Sequence, residues 1–248
     1  MNLQILARAT WVTAQKDIRI YYRKAPVFIF GLILPTFLFF AFFVGRELDI
    51  KRYFPGFLAM ALFFTSSSVG PLIVPWEKQA GTFERLLTYP VSIGTIILGD
   101  IIAGALFGIT ISTIVGVVGI VFLNLEVESV VMLFLAYVLG NLCFSGLGVT
   151  LSSPAGRYPA NIMMLAALVR FPLIFISGVF VPLSEMSAPG VYISYLSPLT
   201  YLVDALNHSL GQPSAFPWPV DLLVLSFFFM LFILSARFIL TRKSLKGL

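Results

Sequence analysis

Apolar residues fall in blocks along this chain, each broken by a short polar or Gly/Pro-rich interruption. Blocks of roughly 20 residues are long enough to cross about 30 Å of hydrocarbon as helices. They predict six spans, at residues 26–44, 54–75, 93–123, 129–151, 160–182 and 219–240. The third block is too long for one upright crossing and is expected to tilt or to extend past the bilayer. Residues 1–25 carry a different pattern. Leu3, Leu6, Ala7, Thr10, Trp11, Ala14, Ile18 and Tyr21 keep an approximate helical period, with Arg8, Gln15, Lys16 and Arg19 between them. This predicts an interfacial helix, with Trp11, Tyr21 and Tyr22 suited to the headgroup layer. Two readings of it stand: a surface anchor that helps set topology, and a platform that also touches a cytosolic partner.

Between spans five and six the chain stays apolar yet holds Gly178, Pro182, Pro189, Gly190, Pro198, Gly211, Pro213 and Pro217. Ser187-Ala188-Pro189 and Ser197-Pro198 are helix-start signals. Short re-entrant helices in the outer leaflet are expected over residues 183–210. Non-helical backbone at that depth is tolerated where it packs on protein or lines a wet cavity.

A charged interruption runs from Trp76 to Pro90 and holds Glu77, Lys78, Glu84 and Arg85, in a protein that is only 11% charged. Charges in hydrocarbon are costly, so this segment belongs in water. It has the pattern of a short amphipathic helix. Phe83, Leu86 and Leu87 share one face, Glu84 and Arg85 point elsewhere, and Pro90 stops it. A short helix with one apolar face, held at the membrane surface, is suited to docking into another protein.

Charge distribution sets the orientation. With the N-terminus inside, Arg8, Lys16, Arg19, Arg23, Lys24, Lys78, Arg85, Arg157, Arg237, Arg242, Lys243 and Lys246 lie inside, and only Arg46, Lys51 and Arg52 lie in outer loops. That bias predicts both termini and the 76–90 helix on the cytosolic side. The outer loops are acidic, with Glu47, Asp49, Glu126, Glu128, Glu185, Asp204 and Asp221. Hydrophobic residues make up 59% of the 248, which leaves no polar stretch for a separate soluble domain, so a single membrane domain over residues 1–248 is expected. The first 25 residues have no uninterrupted apolar core of the kind a cleavable signal needs. The single cysteine, Cys143, excludes an intrachain disulfide and leaves the redox compartment open.

The chemistry of an enzyme is missing from the pattern. There is no G-x-x-x-x-G-K-[ST] to cradle ATP phosphates, no H-E-x-x-H and no Cys/His cluster for a metal. The lone histidine, His208, lies in the outer segment, and no serine has a recognisable base partner. Neither catalysis nor a cofactor held by this chain is expected, and the net charge of +5 gives no reason to expect nucleic acid as a partner.

Residues 77–92, with Glu77 followed by Gly81-Thr82-Phe83-Glu84-Arg85-Leu86-Leu87-Thr88-Tyr89-Pro90-Val91-Ser92, resemble the signature of ABC-2 type transporter permeases, E-x-x-x-G-T-x-E-x-L-x-x-x-P-x-S. A second stretch is similar too: Ser177-Gly178-Val179-Phe180-Val181-Pro182, then Ser197-Pro198-Leu199-Thr200-Tyr201. Length, six spans and the layout with both termini inside agree, so the resemblance covers essentially the whole chain. It implies a permease subunit of an ABC exporter in a prokaryotic inner membrane. Such subunits pair as dimers with a second permease copy, sit in membrane lipid and bind two cytosolic ATPase subunits, which hold the ATP and Mg. On this resemblance the 76–90 segment is the coupling helix. Glu77, Gly81, Thr82, Glu84 and Leu86 match the motif, with Lys78, Phe83, Arg85 and Leu87 beside them. Gly178, Pro182, Pro198, Tyr201 and Asp204 belong to the outer gate.

The substrate pathway is expected between the two copies. Candidate lining residues are Phe63, Phe64 and Ser67 of span two and Arg170, Phe171 and Phe175 of span five, a mixture of aromatic, hydroxyl and charged groups suited to an amphipathic cargo. Ordinary helix packing, in which Ser and Thr let backbones approach, is the competing reading. Arg170 lies inside a span and must pair, snorkel or face water. It either recognises an anionic group on the cargo or bridges to Asp100. Gly104 and Gly108 form a GxxxG, to be read as close helix contact within the subunit, as contact across the dimer, or as chance. The cargo is drug-like, lipid or glycan. An ATP-independent channel or secondary carrier is the alternative, although carriers show broken helices in both halves and this chain has one interrupted segment.

Overall fold

The computed structural model describes residues 3–47, 49–89, 91–154 and 158–244, and the regular structure among them is entirely helical. Arg157 and Lys246, counted above on the inner side, lie outside the described residues. Helix α1 (Leu3–Tyr21) precedes a first span made of α2 (Ala25–Phe28), a π-helical turn (Ile29–Ile33) and α3 (Leu34–Phe43). The π turn lies just ahead of Pro35, which has no N–H for the Gly31 carbonyl; the wider turn absorbs that defect. Then follow α4 (Ile50–Gln79), the short α5 (Thr82–Thr88), α6 (Ile93–Leu123), α7 (Val130–Ser152) and α8 (Pro159–Ile176). After a 3-10 turn (Leu183–Glu185) come α9 (Ala188–Ser194), α10 (Pro198–Ser209) and α11 (Trp218–Ser244). Six of these segments are long and apolar enough to cross a membrane.

Local chemistry starts the helices. The Asp49 carboxylate accepts from the Lys51 N–H at 3.0 Å, Ser92 Oγ from the Thr95 N–H at 3.2 Å and Ser197 Oγ from the Leu199 N–H at 3.3 Å. Pro159 and Pro198 occupy first turns, where a missing N–H costs nothing.

Helix α4 is the axis of the molecule, buried almost continuously from Phe54 to Glu77 by α6, α7, α8 and α10. Small residues allow this enclosure. A Cβ on Gly70 would sit 2.6 Å from the Gly148 carbonyl carbon, so α4 and α7 cross backbone to backbone. A Cβ on Gly104 would overlap Ser145 Oγ, and one on Gly108 would overlap Asn141 Oδ1, so this GxxxG makes its contact inside the chain. Thr65, Ser66, Ser67 and Ser68 donate to their own helix carbonyls at 2.6–2.8 Å and serve the same close packing.

The fifth and second spans end elsewhere than expected. The fifth span stops at Ile176, six residues short of the expected end, because Gly178 takes φ +82° and turns the chain out of the helix. The second span is longer at both ends and runs on through Trp76–Gln79, residues expected in a separate short helix. Residues 183–210 do form short helices. Of these α10 is buried through Leu206, while α9 leaves Tyr192 and Ile193 exposed.

Candidate functional site

The site begins where α4 ends. Gly81 adopts φ +67°, a left-handed conformation that strains any residue with a Cβ, and it separates α4 from α5. The single helix expected over 76–90 is therefore two, meeting at a bend. Thr82 Oγ1 donates back to the Glu77 carbonyl at 3.2 Å and closes the corner. Phe83 is buried in a cluster with Ile97, Ile101 and Leu240, which fixes α5 to α6 and α11. The Lys78 ammonium lies 5.3 Å from the Phe83 ring centroid. Glu84 and Arg85 are exposed and Leu86 is half-buried. Thr82, Arg85, Leu86 and Tyr89 line a groove against the end of α1. The side chain of Leu87, and Pro90, lie outside the described residues.

Glu77 is not exposed beside α5. Its carboxylate is only 4% exposed and accepts from the Lys16 ammonium of α1. Lys16 Nζ also lies 2.8 Å from Asp17 Oδ1. Asp17, fully buried, interacts with Asp100 of α6, which is also buried. One lysine and three carboxyls thus join α1, α4 and α6 directly behind the bend at Gly81. Two neighbouring carboxyls in a buried site share a proton more readily than they carry two charges. Burial alone would lower the Lys16 ammonium, but the attraction of Asp17, Glu77 and Asp100 outweighs it and holds the group above its ordinary value. Burial holds the Asp17 carboxyl above the usual carboxylate range despite Lys16.

The helical period of residues 1–25 does not announce this cluster, because it groups Trp11 and Ile18 with the packed positions. The packed face is Thr10, Thr13, Ala14, Asp17 and Tyr21, and Trp11 is 48% exposed. The signal is steric: a Cβ on Gly99 would sit 2.5 Å from Thr13 Cβ, so α1 meets α6 through small residues and a large ring does not fit.

Arg170 is fully buried, and neither sequence reading describes its contact. Its Nη2 donates to the Ser67 carbonyl of α4, and Asp100 belongs to the other cluster, so the expected bridge is not made. The reason is Pro71. With no N–H at position 71, the Ser67 carbonyl loses its helical donor four residues on, and the guanidinium replaces it. Phe63, Phe64 and Ser67 are buried inside the chain, with Phe63 edge-on to Phe144 at 4.8 Å, and line no surface of this chain. Phe171 is half-buried, and Phe175 is 62% exposed.

At the opposite end, Gly178, Pro182 and Asp204 border a cavity of about 270 Å³. Asp204 accepts from the Ala215 and Phe216 N–H groups at 2.7 and 2.9 Å, tying the loop before α11 to α10. Burial raises its carboxyl, and those two donors oppose the rise. Pro198 opens α10, and Tyr201 donates to the Tyr195 carbonyl at 3.1 Å while stacking on Phe216.

A model of the family described as ABC-2 type transporter matches residues 8–210, which takes in α5, both buried charge sites and α10. The chain belongs to the ABC-2 type transporter family. It is 26% identical over 133 residues to Nodulation protein J of Neorhizobium galegae, covering 53% of this chain and 50% of that protein. It is 27% identical over 131 residues to the inner membrane transport permease YadH of Escherichia coli K12, covering 53% of this chain and 51% of that one. The chain spans about half the length of the curated relatives it matches. As an ABC-2 protein with six membrane-crossing helices, it is a multi-pass membrane component of transport.

Proposed function

We propose that this chain forms the membrane pathway of an ATP-driven exporter, acting as a homodimer with two separate ATPase subunits seated on α5. The observation that carries the reading is the construction of α5. It stands outside the bundle with Glu84 exposed, yet Phe83 roots it in the core and Gly81 sets its angle. A helix built only to connect two spans has no use for such a mount. In this reading α5 faces the cytosol, in keeping with the excess of Lys and Arg on that side. The partner subunits hold ATP and Mg and supply the hydrolysis. Displacement of α5 passes through Phe83 into α6 and α11, and through Glu77 and Lys16 into α1. Glu84 is the residue that orients the partner, a role that exposed charges fill better than they supply affinity. The cargo is amphipathic: drug-like, lipid or glycan. The name of the relative from Escherichia, an inner membrane transport permease, supports transport across a bacterial inner membrane.

Copurification with the candidate ATPase tests this. Wild type is expected to carry the ATPase through purification and to show vanadate-sensitive hydrolysis in lipid. Glu84→Lys/Leu86→Asp is expected to lose both while remaining a folded dimer. An undiminished complex with the double variant would remove α5 from the interface, and no complex with wild type would favour the ATP-independent channel or carrier.

A further inference from the structure

Beside α5 lies a groove of about 650 Å³ between the last turn of α1 and the corner where α4 meets α5. We propose that it is a binding site for the phosphate headgroup of an anionic phospholipid. Its position sets it at headgroup depth. Lys24 is the last residue before the first span, which starts at Ala25, and Trp76 lies in the last turn of the second, which ends at Gln79. The two spans are consecutive and antiparallel, so these are ends in the same leaflet. The groove walls have the composition of that layer, with Trp76 and Tyr89 beside Ile20 and Leu86. Ile29 and Ile33, which follow Lys24 into the first span, are exposed apolar residues of the kind an acyl chain lies against.

The charge is unbalanced in the same place. Four charged residues line the groove: Lys16, Lys24, Arg85 and Glu77. Lys16 is neutralised by Glu77 within the chain. Lys24 rests over the Trp76 ring at 4.8 Å, and Arg85 is exposed; among the described residues neither has a carboxylate in salt-bridge range. Two cations converging on one interfacial groove, with aromatic and apolar walls, fit a phosphodiester attached to hydrocarbon. An acidic protein segment would share the charge but does not account for the aromatic and apolar walls at headgroup depth.

Quenching of Trp76 by brominated lipid reads the site directly. In a Trp11→Phe/Trp218→Phe background Trp76 is the remaining tryptophan of the three. The protein is reconstituted in phosphatidylcholine with brominated phosphatidylglycerol or brominated phosphatidylcholine at equal mole fraction. Preferential quenching by the phosphatidylglycerol is expected. Its relative association should fall by roughly fivefold for each cation removed in Lys24→Gln and Arg85→Gln, with the ratio of the two lipids taken within each variant. Soluble glycerol phosphate is expected to leave the quenching unchanged. Equal quenching by the two lipids would overturn the proposal and leave the groove to a protein partner. So would a preference that survives in Lys24→Gln/Arg85→Gln, and so would relief by glycerol phosphate, which would make the site one for a free anion.

Discussion

Arg170 donates to the Ser67 carbonyl, a group 103 residues earlier in the chain that Pro71 has left without a helical partner. This contact makes a thermodynamic prediction. Arg170→Met leaves the Ser67 carbonyl unsatisfied in the native chain, but in a Pro71→Ala background the restored backbone N–H at position 71 satisfies it. A double-mutant cycle, read from thermal unfolding in detergent, is expected to show the Arg170 change to be milder by about 1–3 kcal/mol in the Pro71→Ala background. Additive effects would mean that the carbonyl contact is incidental. Asp17 gives a prediction in pH. Its folded carboxyl is raised by burial, so its contribution is fully present below the unfolded carboxylate range and is lost as pH rises through the folded value. Stability should fall across that window, and Asp17→Asn should flatten the slope. The sequence marks Arg170 as a residue that must be accounted for, since a charge inside a span always is. It does not name the partner, because nothing in the chain pairs an arginine on one helix with a carbonyl that a proline frees on another.

Among the elements, α1, α4 and α6 are joined at the end of the bundle that carries α5. Lys16 and Glu77 are 61 residues apart and form the central tie. Breaking one side of a buried pair leaves an uncompensated charge, so Lys16→Met is expected to lower stability by about 3–5 kcal/mol, seen as a lower Tm. Lys16→Met/Glu77→Met should recover much of that loss; a double variant as weak as the single one would show that the two groups act independently. Six membrane helices and the existence of α5 are legible in the sequence, because block length and helical period are local signals. Their junctions are not. Trp76–Gln79 continue α4 because a helix ends where its backbone is broken, at Gly81, and charge alone does not end it. Pro71 does not end it either, since Arg170 of α8 supplies the donor that this proline removes. The packed face of α1 escapes the sequence for a related reason: contact with a glycine selects small side chains, and hydrophobicity alone does not rank them.

For the whole molecule, the distribution of exposed apolar surface matters most. While α4 is enclosed, large apolar residues stay exposed on the first span (Phe37), α6 (Val118), α8 (Leu168) and α11 (Phe227). Lipid covers such surface in a membrane, and the proposed second copy covers part of it. The buried charges lie inside one chain, and in the proposed dimer the two α5 helices are the parts in contact with the ATPases. The most direct test of that claim is the distance between the two α5 helices. Thr88, exposed at the end of α5, accepts a spin label as Thr88→Cys in a Cys143→Ala background without touching Glu84. In the lipid-reconstituted complex with its ATPase, the label-to-label distance is predicted to shift between the nucleotide-free and the vanadate-trapped states. A distribution that stays the same in both states, in a complex that hydrolyses ATP, would contradict coupling through α5.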